Sequence, residues 1–303
     1  MNDGLAIIGA NGFIGRNLAL RAMTAGWQVY CLSRTNPEIP DCLWLRHDVL
    51  GPPPVYPPGT AAVFYMAQSV HYREFPKRAG DLFGVNVFGA VQAAQAAKEQ
   101  NVRLFAYASS GNVYAPARVP MTEDFPLDRT QPYGLSKIMA EEALDCFQAW
   151  FQVISIRIFG AYGPGQRNML VWNILQRLKN GKPIVLAPLA EDDADGLRVS
   201  FIYNDDLAAC LLGLAARALA GGKMPARINM AGPEAVSLRR LTEVMAVRTG
   251  LKAKFTKAQT PRSADLIADI HRLRRFGVPA FTELEEGLAS FIAQAGCSAG
   301  ATY

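Results

Sequence analysis

The spacing Gly9-x-x-Gly12-x-x-Gly15, set directly after the apolar run of residues 5–8, constrains this chain more than any other feature. A fully apolar run that stops at glycine reads as a parallel strand buried on both faces. Helical spacing then runs over 15–25, with Gly26 as its stop. Small residues at such a strand-to-helix turn let backbone amides approach a pyrophosphate, and the helix N-terminus adds partial positive charge. The spacing differs by one residue from the generic dinucleotide fingerprint Gly-x-Gly-x-x-Gly, but the physics is the same. Gly9, Asn11, Gly12, Phe13, Ile14 and Gly15 are therefore cofactor-binding candidates.

Strand and helix patterns keep alternating beyond this turn. Strands are predicted over 29–32, 43–46, 62–65, 104–108 and 153–158, with helices over 85–99 and 133–151. That alternation predicts an α/β fold, a Rossmann-type doubly wound parallel sheet with helices on both faces. The pattern loosens after Gly163-Pro164-Gly165. Helices over 168–180, 205–220, 238–249 and 281–293 and one strand over 199–203 suggest a smaller mixed α/β C-terminal lobe. Residues 1–165 with 199–232 are assigned to the core, and 166–198 with 233–303 to the lobe. An acidic stretch (Glu191, Asp192, Asp193, Asp195) reads as a solvated turn, and residues 296–303 as a frayed end.

The 303 residues carry a net charge of +5 spread along the chain, which suits anionic small molecules but is too scattered for nucleic acid. Five cysteines (Cys31, Cys42, Cys146, Cys210, Cys297) show no Cys-x-x-Cys pairing and are expected to be free thiols in a reducing, cytoplasmic compartment. No signal peptide is expected ahead of residue 5, and the most apolar stretch, 207–214, is far too short to span a bilayer. The three histidines (His47, His71, His271) have no metal-ligand spacing, and no metal is expected.

The strand over 29–32 ends in Ser33-Arg34, where binders of NAD usually place a carboxylate for the ribose hydroxyls. Arg34 suits a 2′-phosphate, so NADP is expected, with NAD as the alternative. Asp48, with Val49 after it, follows the third strand and is placed to meet the adenine amino group.

Tyr133 and Lys137, spaced i, i+4, stack on one helix face just after Pro132. Free tyrosine, with a pKa of about 10, is a poor base at neutral pH. A neighbouring ammonium and a helix N-terminus favour its phenolate. Ser110 follows the fifth strand, at the carboxyl end where open parallel sheets bind ligands. Hydride transfer needs a group that exchanges a proton with the substrate hydroxyl and a donor that polarises the carbonyl. Ser110, Tyr133 and Lys137 are the catalytic candidates, with Lys137 also suited to hold a ribose.

With these residues in place the chain resembles the extended short-chain dehydrogenase/reductase family, in its branch of NAD(P)-dependent nucleotide-sugar epimerases, dehydratases and reductases. Further markers are Met66-Ala67-Gln68, Asn86, Val113-Tyr114, Arg157, Phe201-Ile202-Tyr203, Asp205-Asp206 and Glu285-Glu286-Gly287. The resemblance implies cofactor contacts at Met66, Ala67, Gln68, Asn86, Ala108 and Ile158. It implies a nucleotide-sugar substrate held between core and lobe by Ser69, Ser110, Asn112, Tyr133, Gly160, Asn168, Arg198 and Arg262. Three departures qualify it. Gly111-Asn112 stands where dehydratases carry an Asp-Glu pair, which disfavours dehydration. Val199 replaces a common arginine, and Gly160 a common asparagine. The preferred expectation is an NADPH-dependent 4-keto-sugar reductase, and the alternative a 4-epimerase with tightly bound NAD. A small-carbonyl reductase and a non-catalytic NADP-binding module rank below both. Related enzymes pair the helices equivalent to 85–99 and 133–151, which implies a homodimer.

Overall fold

A computed structural model describes residues 3–190, 193–278 and 280–297. Residues 298–303, the side chain of Cys297, and Glu191 and Asp192 of the acidic stretch lie outside the described set. The first half runs β1 (Gly4–Ile8), α1 (Phe13–Thr24), β2 (Gln28–Ser33), β3 (Leu43–Arg46), β4 (Thr60–Tyr65), α2 (Ala79–Phe83), a π-helical turn (Gly84–Phe88), α3 (Gly89–Glu99), β5 (Leu104–Ser110), α4 (Pro132–Asp145) and β6 (Gln152–Ile158). The second half runs β7 (Gly160–Tyr162), α5 (Leu170–Lys179), β8 (Ile184–Leu186), β9 (Arg198–Tyr203), α6 (Asn204–Leu219), β10 (Arg227–Met230), β11 (Ala235–Ser237), α7 (Leu238–Thr249), β12 (Phe255–Lys257), α8 (His271–Arg274) and α9 (Leu284–Cys297).

Seven strands pair in the order β10-β6-β5-β4-β1-β2-β3, all parallel. The strand order reverses between β1 and β4, so their carboxyl ends open the crevice in which such sheets bind ligands. Alternate residues of β1 serve opposite cores. Leu5 and Ile7 pack into one apolar cluster with α1 and α6, while Ala6 and Ile8 pack into another with the alanines of α3. The expected doubly wound parallel sheet is therefore present.

A third cluster joins α5, α7 and α9 to the small sheet β11-β9-β7. Here β9 departs from its expected place in the large core. Val199, Phe201 and Tyr203 face the third cluster, whereas Ile202, on the opposite side of the strand, packs into the first. Of segment 199–232, α6 joins the large core and β10 the large sheet. The sequence pattern did not indicate β10, because only four residues, Arg-Ile-Asn-Met, pair with β6. The cost of burying Asn229 is offset by hydrogen bonds with Tyr114, Glu123, Met121 and Asp269.

Two other expectations change. The helix predicted over 85–99 begins at Ala79 and passes through the π-helical turn before α3. Cys31 and Cys42 are not free thiols but form a disulfide with a Cα–Cα separation of 6.6 Å. The cause is register: β2 pairs with β3 so that Cys31 lies opposite Trp44, two residues beyond Cys42. This pair removes the cysteine argument for a reducing compartment. No helix among the described residues is long and apolar enough to cross a membrane.

Behind the carboxyl end of β5 lies a buried ion pair. Arg157 reaches Glu141 through Nη2–Oε2 (2.7 Å) and Nε–Oε1 (3.0 Å), with side-chain exposures of 3% and 1%. Arg227 joins Glu141 at 3.3 Å and also Asp145. Removing one partner strands a charge in a medium that solvates it poorly. Arg157→Ala is expected to destabilise the fold by about 3–5 kcal/mol in urea unfolding.

Candidate active site

The glycine turn fits a dinucleotide for a steric and an electrostatic reason. Gly9 has φ +85°, and a methyl group there would stand 2.7 Å from the Ala67 nitrogen, so the loop after β1 packs backbone to backbone against the end of β4. α1 starts after Gly12 with no side-chain cap and no acidic residue in its first turn. Its first N–H groups therefore remain available to an anion.

At the adenosine end, Ser33 donates to the carbonyl of Thr35 (2.7 Å), and Asn11 donates to the same carbonyl (2.7 Å). The Ser33 hydroxyl is thus committed to its own loop, while Arg34 is exposed. Asp48 is exposed and accepts the Leu50 amide at 3.1 Å, and Val49 packs against the second apolar cluster. Phe13 and Ile14 form the first turn of α1, half-buried beneath the glycine loop.

The catalytic candidates meet at the end of β5. Ser110 lies beside the Tyr133 phenol and favours the phenolate, but burial dominates and pushes the phenol up to about 12. Lys137 is 1% exposed and donates to the carbonyl of Ala108 at 2.8 Å. Its ammonium lies 4.9 Å from the Tyr107 ring centroid and 6.0 Å from that of Tyr133. Burial lowers its pKa from 10.5 to about 7, and the charge of Glu141 opposes the drop. A close approach makes this geometry possible. A methyl on Gly134 would lie 2.5 Å from the Asn112 carbonyl, so α4 can sit directly on the turn that follows Ser110.

Asn86, at 0% exposure in the π-helical turn, ties the site together. Its Oδ1 accepts the Ser69 amide (3.0 Å), and its Nδ2 donates to Ser136 Oγ (2.9 Å). Ser136 in turn donates to the Tyr133 carbonyl (2.7 Å). Ile158, at the end of β6, lies opposite Ser110 in the sheet register. Gln68 is placed on the phenol of Tyr133 itself, its Oε1 accepting from the hydroxyl at 2.8 Å. Met66 and Ala67 lead into it from β4.

The expected substrate residues divide. Asn112 is exposed beside Ser110, and Asn168 is exposed with φ +58°. Ser69 is 1% exposed, and its hydroxyl donates to Asp81 while accepting the His71 amide, so it braces the loop. Arg198 and Arg262 converge on Asp265, at 3.4 Å and 2.9 Å. Arg262 also pairs with Asp193 and donates to the Ala187 carbonyl through Nη1, while its buried Nη2 has no hydrogen-bond partner among the described residues. Three participants escaped the sequence reading: Tyr72, whose ring centroid is 5.0 Å from that of Tyr133, Tyr107 under the Lys137 ammonium, and Ser136. Tyr72 sits in an aperiodic loop, and the other two look like ordinary core positions of a strand and a helix.

Below pH 7 both the folded and the unfolded chain hold Lys137 protonated, and burial penalises the folded state. Between pH 7 and 10.5 the folded chain releases a proton that the unfolded chain keeps, so this group favours folding increasingly as pH rises. Lys137→Met, free of cofactor, is expected to melt above wild type at pH 6, with the gap narrowing by pH 9 in thermal unfolding.

Comparison with known proteins agrees with this geometry. Residues 5–231 match the NAD dependent epimerase/dehydratase family. A Bacillus subtilis (strain 168) protein named as an uncharacterized UDP-glucose epimerase, YtcB, is 23% identical over 214 residues, 69% of this chain and 65% of the relative. The match thus spans just under two thirds of that relative's length. The UDP-glucose 4-epimerase of Neisseria gonorrhoeae is 30% identical over 61% of this chain and 59% of its own. Among solved structures, MoeE5 in complex with UDP-glucuronic acid and NAD is 25% identical, with a TM-score of 0.79 over 98% of this chain and 100% of the other. The Thermus thermophilus UDP-glucose 4-epimerase complex with NAD shares the fold at a TM-score of 0.78 and 20% identity, over 99% and 100% of the two chains. The preference for NADP expected from Ser33-Arg34 finds no support here, since the family is NAD dependent and these structures hold NAD. By its sequence match and its fold, the chain belongs to the NAD dependent epimerase/dehydratase family.

Proposed function

We propose that this protein is a nucleotide-sugar 4-epimerase that works with tightly held NAD. The meeting of Ser110, Tyr133 and Lys137 at the end of β5 carries this reading. The names of the relatives and the NAD in similar structures support it over the NADPH-dependent 4-keto-sugar reductase first expected. The Gly9–Gly15 turn and the start of α1 would hold the pyrophosphate, with Lys137 on the nicotinamide ribose. Bound NAD would supply the hydride acceptor for C4 of the sugar and later the donor.

Tyr133 has two tasks. As phenolate it removes the C4 hydroxyl proton while the C–H hydride leaves, and as phenol it gives a proton to the C4 oxygen when hydride returns. Ser110 donates to that oxygen and stabilises the negative charge that builds there. Lys137 favours the phenolate by its charge. The nucleotide end of the substrate would lie against the segment carrying Asn168, between the large sheet and the cluster built by α5, α7 and α9. Phe88 and Met139, exposed on the turn before α3 and on α4, suit a homodimer through those helices.

Native mass spectrometry is expected to find NAD retained, and the protein to interconvert UDP-glucose and UDP-galactose or their uronic acid or N-acetyl counterparts. Tyr133→Phe should lower kcat about 10²–10⁴-fold, the usual worth of a positioned acid–base group. Retained NADP, together with net reduction of a 4-keto sugar, would sink the epimerase reading. Sedimentation should give a dimer that Met139→Glu splits.

A further inference from the structure

We propose that Gln68 is a further catalytic residue, whose amide carbonyl holds the Tyr133 hydroxyl in its protonated form. The contact is direct, Tyr133 Oη to Gln68 Oε1 at 2.8 Å. The Gln68 side chain is exposed, but the backbone on both sides of it is fixed. Ala67 lies against Gly9 so closely that a methyl on the glycine would stand 2.7 Å from the Ala67 nitrogen. Ser69 is anchored through its amide to Asn86, whose own amide reaches Ser136 and so the first turn of α4. One buried chain of hydrogen bonds therefore sets the distance between the Gln68 segment and the Tyr133 helix. The same segment lays Tyr72 on the Tyr133 ring, with the Arg73 guanidinium 5.0 Å over Tyr72.

Other groups act on the phenol. Ser110 faces it from β5, the Lys137 ammonium lies on its own helix, and Tyr107 and Tyr72 flank it from β5 and the loop after β4. Ser110 and Lys137 favour the phenolate, which serves the oxidation half of the cycle. Gln68 accepts from the neutral phenol and so stabilises the protonated Tyr133 that the oxidation half produces. Burial already pushes the phenol up to about 12, and the Gln68 carbonyl acts in the same direction, against Ser110 and Lys137.

This inference rests on the epimerase reading, and the test separates the two. Phenolate absorbance of the NAD-loaded enzyme, taken as a difference from Tyr133→Phe, titrates Tyr133 without any sugar. Removing an acceptor destabilises the protonated form, so Gln68→Leu should move the titration and the acid limb of kcat down by about 0.5–1 pH unit. Gln68→Glu, a stronger acceptor, should move both up. Titrations that stay put in both variants while NAD affinity falls would overturn the proposal and leave Gln68 a cofactor contact only. A wild type that turns over no nucleotide sugar, yet shifts its Tyr133 titration in both variants, would sink the epimerase reading and leave the Gln68–Tyr133 coupling standing.

Discussion

A fully buried amide is costly unless each of its polar atoms finds a partner, and at Asn86 they do. Oδ1 takes the Ser69 amide, Nδ2 gives to Ser136, and the backbone carbonyl takes the Tyr107 hydroxyl at 2.9 Å. Those three partners belong to the loop after β4, to α4 and to β5, the three pieces that carry Gln68, Tyr133 and Ser110. Each piece alone leaves its side chain free to wander by more than catalysis tolerates. The π-helical turn at Gly84–Phe88 breaks the regular helical spacing at the residue that must point inward, and single π-turns within helices often mark functional sites.

Behind this staple, Glu141 links chemistry to scaffold. It accepts from Ser109, the neighbour of both Ala108 and Ser110, and it neutralises Arg157 and Arg227. One carboxylate thereby fixes the end of β5 to α4 and sets the charge near Lys137. A buried ion pair is a poor source of net stability, since desolvation offsets much of its attraction. Here it holds the strand end that presents both the Lys137 acceptor and Ser110.

The two departures on the substrate side share one cause. A methyl on Gly160 would stand 2.6 Å from Phe201 and 2.7 Å from Val199, so any side chain at 160 would collide with the inward face of β9. Val199 at 2% exposure and Phe201 at 7% fill the space that a larger residue at 160 would need. Glycine at 160 and valine at 199 therefore belong together as one apolar contact between β7 and β9. Arg198, one residue earlier on the strand, points to the opposite side and meets Asp265.

The sequence by itself determined the parallel sheet and the glycine turn, and it singled out Tyr133, Lys137 and Ser110 as candidates. Those signals are local: a run of apolar residues, a glycine spacing, a pair four apart on one helix. Tertiary structure decided everything that depends on distant pairing. It brought Cys42 to Cys31 through the β2–β3 register, gave β9 to the small sheet, and set Ser69 and Arg262 in contact with Asp81, Asp193 and Asp265. It also turned Gln68 from one residue in a family marker into the partner of the Tyr133 hydroxyl. The glycine turn that first constrained the chain acts in that contact too, because the close approach of Gly9 to Ala67 fixes where Gln68 begins. A hydrogen bond between residues 65 positions apart leaves no periodic trace in the chain, since only folding sets its distance.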